Sequence, residues 1–297
     1  MKKTKSILTA LVIIFSVSAL FSQEDHKVKV TRVKGNIYKL YISDFVNIFA
    51  FIGSDGVLLV DSGFHGNAEE VISKLSQLGN GKIRYIINTH ADWDHIAGNH
   101  ALGKDAEVIS HSNSRKQILE YIDWEGFPFD RTILKKSLPT MTFEKNLTLY
   151  FNGEKIKLIY MSGAHTDDDI IVYFETANIV CLGDMFLPGS FPVVKLDNGG
   201  SVKDLVKNID IVLEMFPEDV ILVFGHGENY TLNDLKKYRK MVVNTINKVS
   251  TAKNDGKMLE EIKKENILKD WASWSGTVFE DVTSDKWIET IYNSVSK

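Results

Sequence analysis

Within Thr89-His90-Ala91-Asp92-Trp93-Asp94-His95, two imidazoles and two carboxylates fall between positions 90 and 95. Imidazole and carboxylate together suit zinc, iron or manganese. His and Asp are also ordinary loop residues, and a lone His-x-Asp is more often a turn than a ligand set. Three further ligand-type residues shift that balance, because each follows an apolar, strand-like run. His165 sits in Met161-Ser162-Gly163-Ala164-His165-Thr166-Asp167, Asp184 in Cys181-Leu182-Gly183-Asp184, and His226 in Val223-Phe224-Gly225-His226-Gly227. Glycine near each permits a sharp turn or a close backbone approach.

In order and context these residues resemble the metallo-β-lactamase-fold hydrolase superfamily. Its hallmark is His-x-His-x-Asp-His, then a distant His, an Asp after a Gly, and a final His in a Gly-His-Gly-like turn. The resemblance runs over roughly Val28 to Ser250. It implies that His90, Asp92 and His165 surround one metal, that Asp94, His95 and His226 surround a second, and that Asp184 bridges both. A metal-activated water is then the nucleophile, with Asp94 placed to orient it. Two zinc ions are the expected cofactors. The sequence shows no Gly-x-Ser-x-Gly elbow that would supply a serine nucleophile instead.

One position departs from the pattern: Asp92 stands where the second His belongs. An anionic oxygen there favours harder metals, so iron or manganese could replace zinc, and it makes a bound water less acidic. Asp92 could be a ligand of a working dinuclear centre, could weaken metal one and leave metal two to act, or could mark a degenerate site. A carboxylate here also resembles the flavodiiron proteins and the DNA-uptake nuclease-like domains. Two other positions narrow the branch. His95 stands where one large group of true β-lactamases has Arg, and Asp184 where that group has Cys. Both favour the broader, glyoxalase-II-like branch.

The elements that must position these residues follow from periodicity. Val28–Leu40 and Asn47–Val60 read as strand pairs, the second turning at Ser54-Asp55-Gly56. Asn67–Leu78 has helical spacing, and the strand Ile83–Ile87 leads to His90. Val108–Ser110 is a strand and Asn113–Tyr121 a helix. Ile122–Thr140 reads as a long irregular stretch holding Trp124, Phe127, Pro128 and Phe129. Strands return at Leu147–Phe151, Lys155–Tyr160, Asp169–Phe174, Asn178–Leu182 and Val220–Phe224. The segment Ser201–Met215 reads as a helix facing the core through Leu205, Ile209 and Leu213, and Leu232–Val249 as another. Pattern alone says α/β or α+β; the resemblance implies a four-layer αββα sandwich in a single domain, residues 23–250, with 251–297 as its C-terminal helical appendage.

Lysines at positions 2, 3 and 5 followed by the apolar run Ile7–Phe21 read as a secretory signal peptide, residues 1–22. The run is short for a spanning helix, so no stable membrane anchor is expected after cleavage, and the mature chain is expected in the periplasm or secreted. Removing the three lysines takes the formal charge from −4 to −7. That argues against nucleic acid as a partner and for a small-molecule substrate. The single cysteine, Cys181, cannot form an internal disulfide and lies in an apolar run that reads as buried.

Weaker candidates surround the ligand set. Asp61, at a strand end, could support a metal-binding His, or could simply be a turn residue. Lys195, on the segment after Asp184, could bind a substrate carboxylate or be solvated. Asp167, Asp168 and Asp169 read as a turn. His65 and His111 could approach the site but read as surface or core histidines, His100 reads as structural in the helix after the metal loop, and His26 as mobile near the cleavage site. The expected function is an exported metal-dependent hydrolase acting on a small ester, lactone, thioester or β-lactam. The alternatives are a di-iron redox or metal-binding protein without hydrolytic turnover, and a phosphodiesterase or nuclease.

Overall fold

The computed structural model describes residues 27–79, 81–124 and 129–294; the predicted signal peptide, with His26, Phe127 and Pro128, lies outside them. The first half of the chain builds a sheet of β1 (Val28–Lys34), β2 (Ile37–Ile42), β3 (Val46–Gly53), β4 (Gly56–Val60), β5 (Ile83–Ile87), β6 (Glu107–His111) and β7 (Met141–Phe143), in that spatial order. Its helices are α1 (Ala68–Leu78), α2 (Trp93–Ile96), α3 (Asn99–Leu102), α4 (Ser112–Asp123) and α5 (Arg131–Lys136). The second half builds a sheet of β8 (Asn146–Phe151), β9 (Glu154–Tyr160), β10 (Ile170–Phe174), β11 (Ile179–Cys181) and β12 (Ile221–Val223). It is flanked by α6 (Val202–Met215), α7 (Leu232–Asn254), α8 (Leu259–Lys264) and α9 (Ser284–Ser294).

Both sheets begin as antiparallel meanders and end in parallel strands. In the first, β4, β5, β6 and β7 run parallel; in the second, β11 and β12 do. A parallel strand buried on both faces must be apolar throughout, and Val57-Leu58-Leu59-Val60 and Ile179-Val180-Cys181 are fully buried. Alternation then sorts their side chains. Leu58, Val60 and Ile87 point between the sheets, against Ile156, Leu158, Val172, Phe174 and Cys181. Val57, Leu59 and Ile86 point outward, against Val71 and Leu75 of α1 and Leu102 of α3. On the far side, Val180, Leu182 and Leu222 meet Leu205 and Ile209 of α6 and Val242 of α7. Three apolar layers between helix, sheet, sheet and helix make an αββα sandwich.

α8 and α9 share the apolar layer of α6 and α7. Trp287 of α9 is buried and its indole N–H donates to Thr245 Oγ1 of α7 at 2.8 Å. Where β12 ends, Leu222 and Tyr230 form a backbone bridge that turns the chain into α7, whose start is closed by a capping box of Thr231 and Asp234.

Three expectations are corrected. The stretch Ile122–Thr140 is not wholly irregular: α5 lies inside it, started by Asp130, whose carboxylate accepts from Thr132 N at 2.7 Å. A six-residue helix with Leu134 as its one buried residue leaves no periodic signal. β7 was not anticipated, because Met141 and Thr142 are exposed and only Phe143 is buried. In α6 the inward face is Leu205, Ile209 and Val212, with Leu213 only packed against its edge.

Candidate metal centre

The loops that leave the carboxyl ends of β4, β5, β11 and β12, together with the loop after β9, converge at one edge of the sandwich. β4 ends at Val60 and hands over to Asp61; β5 leads through Asn88 and Thr89 to His90. Asp92 sits at the N-cap of α2, which carries Asp94 and His95 in its single turn. His165 lies between β9 and β10, Asp184 follows β11, and His226 follows β12. The two sheets are tied at this edge. Ile170 N donates to Thr89 O at 2.9 Å, Asn47 N to Gly225 O at 2.7 Å, and Asn47 Nδ2 to Phe224 O and Gly227 O.

Seven side chains meet there in two adjoining groups. One is His90, Asp92, His165 and Asp184; the other is Asp94, His95 and His226. Within each group the candidate ligand atoms lie within 4.8 Å of one another. Asp184 spans both groups, with Oδ1 3.4 Å from His95 Nε2 and Oδ2 3.2 Å from His226 Nε2. Asp94 Oδ2 lies 3.1 Å from His226 Nε2, and Asp92 Oδ2 3.1 Å from His165 Nε2 and 3.4 Å from His90 Nε2.

Each of the four imidazoles is pinned through Nδ1, which leaves Nε2 facing the cluster. His165 Nδ1 donates to Val193 O at 2.8 Å and His226 Nδ1 to Phe45 O at 2.9 Å. His95 Nδ1 donates to Asp61 Oδ2 at 2.8 Å. Thr89 Oγ1 also donates to Asp61 Oδ2 at 2.8 Å. Its one proton is thereby used, so it accepts from His90 Nδ1 at 3.0 Å. Carbonyl and carboxylate acceptors on Nδ1 fix the tautomer that presents a lone pair at Nε2, the arrangement metal-binding histidines use.

Residues that fit a metal should show polar atoms that the protein itself does not satisfy. His90 Nε2, His95 Nε2 and Asp184 Oδ1 are buried and have no hydrogen-bond partner among the described residues. All three face into the cluster, and their donor types are those of zinc and related divalent ions. The electrostatics point the same way. Burial opposes charge at His95, His165 and His226, yet the neighbouring carboxylates overcome it there. His165 is raised to about 9 beside Asp92 and His226 to about 10 beside Asp184 and Asp94; His95 is raised as well. Asp92 and Asp184 are buried too, but the imidazoles hold both well below the ordinary carboxylate range. The cluster is built to hold positive charge.

Close packing at this edge demands two glycines. Gly183 has φ +52°, and a Cβ there would meet Thr89 Oγ1 at 2.6 Å. A Cβ on Gly225 would intrude on Asp184 Oδ1 and on His95 Cε1.

Asp61 takes the left-handed conformation, φ 62°, and accepts three hydrogen bonds: from Thr89 N, Thr89 Oγ1 and His95 Nδ1. It touches the cluster only through His95 and Thr89. Lys195 does not stand free for a substrate: its Nζ lies 2.5 Å from Asp92 Oδ2. Asp169 accepts from His165 N, Thr166 N and Thr166 Oγ1 and so shapes the His165 loop; its burial pushes its own carboxyl up to about 6. Asp167 lends its carbonyl to Tyr160 and Asn113, and Asp168 is buried with neither carboxylate oxygen hydrogen-bonded among the described residues. The remaining histidines sit apart from the cluster's bonds. His65 stacks on His100, while His111 stacks on Tyr160 and caps α4. Cys181 is buried between the sheets, and burial raises its thiol well above the usual range.

Sequence reasoning passed over several contributors. Phe45, on the β2–β3 hairpin, lends its carbonyl to His226 and sets its ring 5.0 Å from that imidazole. Phe279, from the segment before α9, stands 4.6 Å from the same imidazole and 5.5 Å from Phe45. Thr89, adjacent to His90, and Trp93, between Asp92 and Asp94, had a local signal; Trp93, which the sequence turns away from the ligand side, stacks on Phe129 at 4.4 Å.

A family model described as the metallo-beta-lactamase superfamily matches residues 42–226. The metallo-beta-lactamase type 2 of Bacteroides fragilis is 22% identical over 255 residues, 81% of this chain and 96% of its own. The hydroxyacylglutathione hydrolase GloC of Haemophilus influenzae is 21% identical over 60% of this chain and 84% of its own. Among solved structures, a metallo-beta-lactamase from Pontibacter korlensis superposes with a TM-score of 0.62 at 16% identity, covering 73% of this chain and 100% of its own. A metallo beta lactamase from Hirschia baltica does so with a TM-score of 0.58 at 19% identity, covering 72% and 97%.

Proposed function

The chain belongs to the metallo-β-lactamase superfamily, and from that premise we infer that it is an exported zinc hydrolase that cleaves a small ester, lactone, thioester or β-lactam with a metal-activated water. The observation that carries this reading is the convergence at one edge of the sandwich of His90 Nε2, His95 Nε2 and Asp184 Oδ1, buried and without a hydrogen-bond partner among the described residues. His90, Asp92, His165 and Asp184 would hold one ion, and Asp94, His95 and His226, with Asp184, the other. A bound divalent ion supplies an acidified water and a Lewis acid for the scissile carbonyl.

The chain's own residues do the rest. Asp94 Oδ2 faces His226 and His95 across the second group, at 3.1 Å and 3.5 Å, where a carboxylate can accept a proton from an attacking water and fix its direction. Asp61, Thr89 and the carbonyls of Phe45 and Val193 hold the four imidazoles so that the site is assembled before substrate arrives. Phe45 and Phe279 form an apolar flank beside His226. That flank suits the organic body of a carbonyl substrate better than a phosphodiester backbone, and the net negative charge of the chain also counts against nucleic acid. Relatives named for β-lactam and for hydroxyacylglutathione hydrolysis both fall within this class. His95 and Asp184 lean the reading toward the second.

Export rests on Met1–Phe21, three lysines and an apolar run; no helix among the described residues is long and apolar enough to cross a membrane. N-terminal sequencing of the protein from periplasmic and culture-medium fractions tests it.

The functional test is hydrolysis of a chromogenic cephalosporin, an aryl ester, a lactone and a thioester by zinc-loaded protein. We expect turnover of one class, abolished by a chelator and by Asp184→Ala. If fully metallated protein turns over none of the four, the hydrolase reading is wrong. Iron in the protein as isolated, with redox-dependent absorbance, would put the di-iron reading in its place, since Asp92, Asp94 and Asp184 also suit a harder metal.

A further inference from the structure

The two ligand groups are not alike. Among the described residues, the ion pairs of Asp94 and Asp184 are with histidines alone. Asp92 has a lysine as well, and Lys195 Nζ approaches the same oxygen, Oδ2, that faces His165 Nε2 and His90 Nε2. The lysine is brought there by a fixed backbone. Lys195 N donates to His165 O at 2.9 Å, and Lys195 O accepts from Asn198 N at 3.0 Å and Gly200 N at 2.9 Å. Two residues earlier, Val193 O holds His165 Nδ1. One loop therefore fixes both a candidate ligand of the first group and the ammonium that sits on its carboxylate. The side chain is 35% exposed, so it has an open side through which it could move.

An ammonium and a divalent ion on one carboxylate oxygen repel each other, and in a buried setting that repulsion is weakly screened. Among the described residues, no lysine or arginine forms an ion pair with a carboxylate of the second group. Resting on the metal-dependent reading above, we propose that Lys195 is a built-in cation of the first group. Its ammonium holds Asp92 in place of a second divalent ion. The chain takes one metal tightly, on Asp94, His95 and His226 with Asp184, and admits another only when the lysine is displaced. Asp92 is then not a vestige of a lost histidine but half of a pair that sets metal stoichiometry.

Stepwise zinc affinities, measured by competition with a chromophoric chelator on the mature chain, test this. Wild type should show one tight equivalent and a second that is weaker. Lys195→Met should tighten the second by about tenfold or more and leave the first unchanged. Lys195→Arg, which keeps the charge, should retain the weak second step. Lys195→Gln replaces Lys195→Met if that variant does not fold. Asp92→His should also give two tight equivalents, because the lysine then has no carboxylate to hold. Two equally tight ions in wild type, or a second step that Lys195→Met and Lys195→Gln leave unchanged or loosen, would overturn the proposal and leave the metal centre standing. If wild type binds no zinc, or if His226→Ala keeps the tight equivalent, the assignment of the centre itself falls and the lysine's role with it.

Discussion

Asp61→Asn isolates the hydrogen-bond relay behind the histidines. Asn tolerates the left-handed backbone that Asp61 adopts, so the substitution keeps shape as well as size. In the wild type, Oδ1 accepts from Thr89 N and Oδ2 accepts from both Thr89 Oγ1 and His95 Nδ1. An asparagine that keeps its oxygen on Thr89 N presents an NH2 group to the other two. His95 Nδ1 must then accept, which moves its proton to Nε2, the atom that faces the cluster. Thr89 Oγ1 is freed from donating to Asp61 and can donate to His90 Nδ1, so the second imidazole is pushed toward the same unproductive tautomer. The opposite amide flip keeps His95 but sets two donors, Asn Nδ2 and Thr89 N, against each other. Loss of such outer partners weakens metal binding by about 10–100-fold, or about 1.4–2.8 kcal/mol. Chelator competition on folded variant protein reads this directly, with circular dichroism confirming the fold. Zinc binding within about twofold of wild type would refute the relay, since the expected loss is at least tenfold.

Three further outcomes follow from the same geometry. Gly225→Ala should fold but lose zinc, because the new Cβ displaces Asp184 and His95; stoichiometric zinc in the purified variant would contradict the packing described. Zinc affinity should rise with pH. In the metal-free protein His226 stays protonated up to about 10 and His95 is raised well above the ordinary imidazole range by Asp94, Asp184 and Asp61, so a metal on the second group must displace both protons at neutrality. The logarithm of the affinity should then climb with a slope near about two between about pH 6 and pH 9, and a flat profile would mean that these rings are already neutral. Trp287→Ala should cost about 3–5 kcal/mol in urea unfolding, since the ring is 1% exposed and clamps α9 to α7; a loss under about 1 kcal/mol would make the C-terminal segment peripheral.

That these seven side chains meet was legible because each lies inside the 90–95 run or follows an apolar strand with a glycine within two residues. Sequence therefore carried both the residue types and the elements that aim them. What holds them was not legible. Two of the four Nδ1 acceptors are backbone carbonyls, Phe45 O and Val193 O, separated from their histidines by 181 and 28 residues. A carbonyl is the same at every position, so nothing in composition marks it. Phe279 reaches His226 only because the C-terminal segment packs back over the loop after Asp184, where Phe191 N donates to Trp274 O and Thr277 Oγ1 to Gly189 O. Helix faces were legible to within about a residue: a small rotation of α6 buries Val212 where Leu213 was expected.

Asp92 was the one position at which sequence alone left several readings open, and its partner lies 103 residues away. Taken alone, a carboxylate in place of an imidazole adds a negative charge to a buried cluster that already holds Asp94 and Asp184. A degenerate site would leave only the imidazoles of His90 and His165 to offset that charge, and burial makes any shortfall costly. The fold instead brings Lys195 onto Asp92 with a loop whose backbone is bonded to the His165 segment. Three carboxylates are then balanced by one divalent ion and one ammonium, whereas two divalent ions beside that ammonium would leave two positive charges over. The ion pair thus accounts for the departure at position 92 without loss of the centre. It also locates the difference from a symmetric two-metal site in one contact that a single substitution can remove.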